Sequence, residues 1–200
     1  LGRVATQMME AQNYFELNAQ KQINSSIIAP FYPKLFKNFP TKKLVATVKH
    51  LYNDELIVSS VYLASSNASN YYLVEPPEKY KYLLDISSKP EIYADTYDSE
   101  FIERIKYFNS LVAAYVNDPK IGIEHPNPQV LQLHDWQASM VAKLLNDFYH
   151  NTKIKSVFMV HIDSGDRGTF KASSLQGIGL KFKNDVAILK AIGLIYADKI

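Results

Sequence analysis

The sequence contains no cysteine, which excludes disulfide staples and thiolate metal sites and fits a reducing compartment, the cytoplasm. No apolar run approaches the roughly 18 residues of a membrane-spanning helix, and no signal peptide is visible, so no membrane association is expected. Runs of five or more like charges are also missing. With 22 basic and 20 acidic side chains the formal net charge is only +2, and a nucleic-acid partner, which needs a concentrated basic face, is not expected. Lys42 with Lys43, Lys79 with Lys81 and Lys181 with Lys183 read as solvated surface. The chain holds no GxGxxG, no Walker sequence, no GxSxG elbow and no HExxH. Its five histidines lie far apart without close pairing, so a metal site is not expected.

What is present is a chain of 200 residues, 47% apolar, long enough to bury a real core in one domain. Its organising stretch runs from Gln129 to His161. Val130 to Leu133 reads as a short buried strand and Gln137 to Tyr149 as a helix, with a second buried strand from Ser156 to Val160. Short β-rich apolar runs of this kind suit parallel strands covered on both faces. The first strand ends in His134, Asp135 and Trp136, and the second ends in His161. In open α/β sheets ligands collect outside the carboxyl ends of the strands, so these four residues mark a candidate crevice. A carboxylate beside an indole suits sugar recognition, one accepting hydroxyl bonds and the other stacking on the C–H face. The bland alternative is a buried histidine and a core tryptophan.

Elsewhere Val4, Met8, Met9, Ala11, Phe15 and Leu17 are spaced for one helical face. Ile27 to Ala29 forms a short strand closed by Pro30. Leu44 to Leu51, Leu56 to Leu63 and Tyr71 to Glu75 are strand-like and separated by turn residues, which predicts an antiparallel meander. Tyr80 to Asp85 reads as a helical turn, and Glu100 to Tyr115 as a strongly amphipathic helix. A last helix is expected over Asn184 to Ile195, with Ala197 to Ile200 entering another strand. The fold class expected is α/β, a Rossmann-like doubly wound, mostly parallel sheet with an antiparallel β insertion.

Several of these segments, in order, resemble the N-terminal domain of the glycogen and starch synthases, glycosyltransferases of the GT-B fold. Leu1-Gly2 before a helix resembles the end of that family's glycine loop, and Ile28 to Leu35 its proline-rich strand and loop. His134-Asp135-Trp136-Gln137 matches its HDW motif, Val157 to His161 resembles its second site strand, and Leu189 to Ile200 its last helix and strand. The resemblance implies transfer of glucose from a nucleotide sugar, ADP-glucose or UDP-glucose, to an α-glucan with retention of configuration and without a metal or other cofactor. It assigns catalysis to His161 and Asp135, substrate contacts to Trp136, Tyr93, His134 and Gly168, and phosphate contacts to Leu1 and Gly2. It further implies a C-terminal partner domain that holds most of the nucleotide sugar, so that this fragment, which also lacks the family's first strand, is expected to be inactive alone. The chain opens without methionine, and a plastid location follows if a transit peptide lies upstream. Two positions depart from the family pattern, Arg3 for its aspartate and Ile162 for its asparagine. They keep open a non-catalytic glucan-binding or scaffold module, or a transferase of the same fold with another acceptor.

Overall fold

The computed structural model describes residues 25–32, 42–65, 70–84, 99–120, 128–161 and 168–200. Alternation builds the first sheet. Along β2 (Lys43–Tyr52) Val48, His50 and Tyr52 are buried around an exposed Lys49, and β3 (Glu55–Ser65) buries Ile57, Ser59 and Val61 in the same rhythm. That is the period of a strand with one face on a core. Asn53 and Asp54, at φ 50° and 60°, form the two-residue turn between them, a conformation these short polar side chains tolerate. β3 pairs antiparallel with both β2 and β4 (Asn70–Glu75), and β4 pairs parallel with β1 (Ser26–Pro30). The order is β1-β4-β3-β2. The expected meander is therefore present, and its last strand is shared with a parallel pair.

A short 3₁₀ helix at Glu78–Leu84 follows the sheet, close to the helical turn expected there. α1 (Ser99–Asn117) corrects the sequence reading. It is not a surface helix with one wet stripe, because from Arg104 to Val116 every residue except Phe108 is buried. A helix covered on nearly all sides lies between layers, and α1 packs both on β2 and on the helical segment that follows β5. Several of its polar residues bond partners distant in sequence. Lys106 bonds Asn53 and Glu103 at 2.7 and 2.8 Å, and Glu103 accepts from Tyr52 at 2.6 Å, so the β2–β3 turn is clamped to the helix.

The second unit begins with β5 (Val130–His134) and passes through a 3₁₀ turn at Trp136–Ala138 into α2 (Met140–Lys143). A π turn at Leu144–Phe148 follows, in which the Tyr149 N–H reaches back five residues to Leu144 at 3.0 Å. β6 (Lys155–Met159) then pairs parallel with β5. Lys199 bridges Val157 in parallel, which agrees with a strand entered near the end of the sequence. The helix expected over Asn184 to Ile195 is divided: β8 (Val186–Ile188) pairs antiparallel with β7 (Thr169–Lys171), and only Leu189–Tyr196 is helical, as α3. Gly193 lets α3 lie against the fully buried Phe158, since a Cβ there would come within 2.6 Å of the ring. Among the described residues no helix is long and apolar enough to cross a membrane.

One buried polar link joins α1 to the first sheet. Ser110 donates its hydroxyl hydrogen to the Leu51 carbonyl, so toward His50 Nδ1, 3.2 Å away, it is an acceptor. His50 therefore carries its hydrogen on Nδ1, and its Nε2 accepts from Ser59 at 2.8 Å. Burial holds this imidazole down at about 4. The unfolded chain then binds a proton that the folded chain does not, so stability rises with pH between the two values. The contribution is complete above about 6.5 and is lost as pH falls toward about 4, an effect on the order of 3 kcal/mol. Urea denaturation from pH 7 to pH 4 is expected to show this acid loss in the wild type, and His50→Leu is expected to flatten it.

Candidate functional site

Register brings the two strand ends together. His134 is paired with Met159, and Leu133 with the buried Phe158. Partners in a parallel ladder point to the same side of the sheet, and side chains along a strand alternate. Leu133 and Phe158 thus share the covered face, while His134 and, two residues beyond Met159, His161 share the other. The Asp135 N–H extends the ladder by donating to the Met159 carbonyl at 2.8 Å.

The two imidazoles meet directly. His134 Nδ1 lies 2.7 Å from His161 Nε2, and the ring planes differ by 6° with centres 5.0 Å apart. That centre separation is what the nitrogen contact and the two ring radii add up to, so the rings lie edge to edge in one plane and not face to face. One N–H points along the other ring's lone pair. Burial, the largest cause, together with His161 holds His134 below the ordinary imidazole value, while Asp135 pulls weakly the other way. His134 is accordingly neutral at neutral pH.

Between the strand end and the 3₁₀ turn, Asp135 sits at φ 64° and ψ 175°, a region that only glycine occupies without strain. It is 4% exposed, and its carboxylate makes no capping bond to the turn that follows. A strained, buried acid that does not cap its own turn is an arrangement held by its surroundings. Two of those surroundings can be named. Asn109 of α1 donates to the carbonyls of Ile105 at 2.8 Å and Gln137 at 2.7 Å, and its side-chain oxygen accepts from the Val141 N–H at 3.0 Å. Trp136, also 4% exposed, packs against Phe101 and Phe170 with ring centres 5.9 and 5.8 Å away. Gly168, at φ 86°, lies over the indole so closely that a Cβ would stand 2.9 Å from it.

His134, Asp135 and His161 are therefore together at the carboxyl ends of β5 and β6. Trp136 and Gly168 pack on each other beneath Asp135, and in this structure the indole offers no open face to a ligand. Leu1, Gly2 and Tyr93, with Arg3 and Ile162, lie outside the described residues. Asn109 was missed from sequence, because nothing in an apolar helical pattern marks which asparagine will bond a turn 28 residues away. Among the described residues no three His, Asp or Glu side chains form a metal-binding group. Two hollows, of about 440 and 520 Å³, lie elsewhere, one beside Phe182 and Lys183 and the other beside Tyr149 and His150.

A family model described as the starch synthase catalytic domain matches residues 1–200. The chain belongs to this glycogen and starch synthase family. The glycogen synthase of Glaesserella parasuis serovar 5 is 27% identical over 205 residues, covering 96% of this chain and 39% of that protein. The glycogen synthase of Francisella philomiragia subsp. philomiragia is 28% identical over 196 residues, covering 89% and 38%. The chain thus spans about two-fifths of the length of these curated relatives. The catalytic domain of starch synthase IV from Arabidopsis thaliana, bound to ADP and acarbose, shares the fold at a TM-score of 0.68 and 18% identity, over 86% of this chain and 36% of that one. The α/β, GT-B class read from the sequence is thereby shown.

Two stability measurements test how this family member holds its strand-end acid. Asp135→Gly is expected to raise the unfolding free energy by about 1 kcal/mol, since relief of strain outweighs the entropy cost of glycine. Asn109→Asp turns two donated bonds into carbonyl–carboxylate repulsion and is expected to cost about 3 kcal/mol or more. Both are read from chemical denaturation curves.

Proposed function

We propose that this domain is the acceptor-side, N-terminal half of a glycosyltransferase that moves glucose from ADP-glucose or UDP-glucose to the non-reducing end of an α-glucan with retention of configuration. The observation that carries the reading is the strained Asp135 beside the paired His134 and His161, at the strand ends where an α/β fold receives its ligand. The names of the relatives support the glucan, and the ADP and acarbose bound to the plant homologue support a nucleotide and a sugar chain as ligands.

In this mechanism Asp135 accepts hydrogen bonds from sugar hydroxyls. Its carboxylate oxygens are not committed to capping the turn. His161 lines the reacting face, and backbone N–H groups at Leu1 and Gly2 offset the charge of the departing diphosphate. Tyr93 serves the acceptor side. Trp136 and Gly168 act through Asp135 by fixing the turn it starts. The nucleotide sugar is held mainly by a C-terminal domain, and no metal or other cofactor is used. Residues 1–200 alone are inactive, because orientation and exclusion of water come from closing two halves over the substrates. The site of action is the cytoplasm, or a plastid if a transit peptide precedes Leu1.

Arg3 and Ile162 favour a second reading, a glucan-binding module without chemistry. Calorimetry separates the two: glucan binding by the full-length protein with no affinity for any nucleotide sugar supports the module. For the enzyme, full-length Asp135→Ala is expected to lose roughly 10²–10³-fold in glucose transfer while its circular dichroism and melting temperature stay near wild type. Wild-type turnover in that variant overturns the assignment.

A further inference from the structure

The geometry points to His134 as a positioning residue that commits Nε2 of His161 to the protein and leaves Nδ1 of that ring as the nitrogen presented to the sugar. This inference rests on the proposed role of His161 and adds the atom through which it acts. The 2.7 Å contact uses Nδ1 of His134 and Nε2 of His161, and the shared plane makes it a bond along the lone pair. Whichever ring donates, Nε2 of His161 has its partner, and only Nδ1 is left to bond elsewhere.

His134 is suited to the task. It is the last residue of β5, its backbone is held in register with Met159, and the following Asp135 N–H is tied to the Met159 carbonyl at 2.8 Å. The terminal torsion of a histidine side chain is broad and roughly two-fold, so an imidazole without a partner exchanges which nitrogen faces a ligand. A bond to a fixed neighbour selects one orientation, as outer partners do for imidazoles that ligate metals. Burial keeps His134 neutral, and two protonated rings would place N–H against N–H across the contact. The pair therefore favours a single shared N–H.

The experiment uses the full-length protein and a glucose-transfer assay. His161→Ala comes first; wild-type turnover there removes the proposed role of His161 and this inference with it. If His161→Ala loses transfer, His134→Leu is expected to lower kcat by roughly 10²-fold, the effect of a misplaced reacting group, with KM little changed. His134→Asn is expected to recover most of that loss, because the asparagine amide reaches the position of Nδ1 and can donate or accept. Unchanged kcat in His134→Leu, or an asparagine variant as impaired as the leucine one, overturns the positioning role and leaves the assignment of His161 intact. Should His134→Leu fail to fold, ¹⁵N-histidine labelling of the wild type decides: a through-bond ¹⁵N–¹⁵N coupling between the two rings supports the inference, and its absence overturns it.

Discussion

The amide of Asn109 is the constraint on which the candidate site depends. It lies in the middle of α1 and spends its two hydrogens on Ile105 and Gln137, its oxygen on Val141. One side chain thereby joins the central helix to the turn that follows Asp135 and to α2 beyond it. Because α1 is also bonded to the first sheet through Ser110 and His50, the strand-end acid is referenced to a rigid layer. Buried polar networks of this kind fix one arrangement when every member is satisfied. Here the network fixes the direction in which the chain leaves β5.

Asp135 shows what that rigidity sustains. An isolated dipeptide would leave φ 64°, ψ 175° at once, and a strain of about 1–3 kcal/mol persists only where packing leaves no alternative. Trp136, pressed between Phe101, Phe170 and the backbone of Gly168, removes the alternatives on one side. The ladder bond to Met159 removes them on the other. Buried aromatics here serve as the anvil for a polar group. In the same way Lys143, bonded to Asp147 and to the Tyr196 hydroxyl, ties the helix after β5 to α3 across the layer.

Much of this was legible in the sequence where the signal is local. Strand-like runs bounded by turn residues disclosed β2 and β3, and short apolar runs ending in polar residues disclosed β5 and β6 together with the strand ends at which their histidines meet. What stayed hidden depends on partners far along the chain. Lys106, Asn109 and Ser110 read as the wet side of a helix, and all are buried because Asn53, Gln137 and Leu51 receive them. Val186 to Ile188 reads as helix from its apolar content, yet it is a strand because Thr169 to Lys171 offers a free ladder. Trp136 was recognised as part of the motif, but its burial follows from Phe170 and Gly168, which no nearby pattern announces.

The pairing of His134 with Met159 has a consequence for chain length. Parity along β6 decides which side of the sheet each residue occupies, so one residue gained or lost between Lys155 and His161 would exchange the covered Phe158 for its neighbour and send the imidazole to the opposite face. The segment after the π turn and before Lys155 carries no such parity; it is set instead by Asn151, whose side-chain oxygen accepts from the Lys153 and Ile154 N–H groups, and by the buried Ile154. The side of the sheet on which the imidazole stands is therefore written into the residue count of the strand and not into that of the connection.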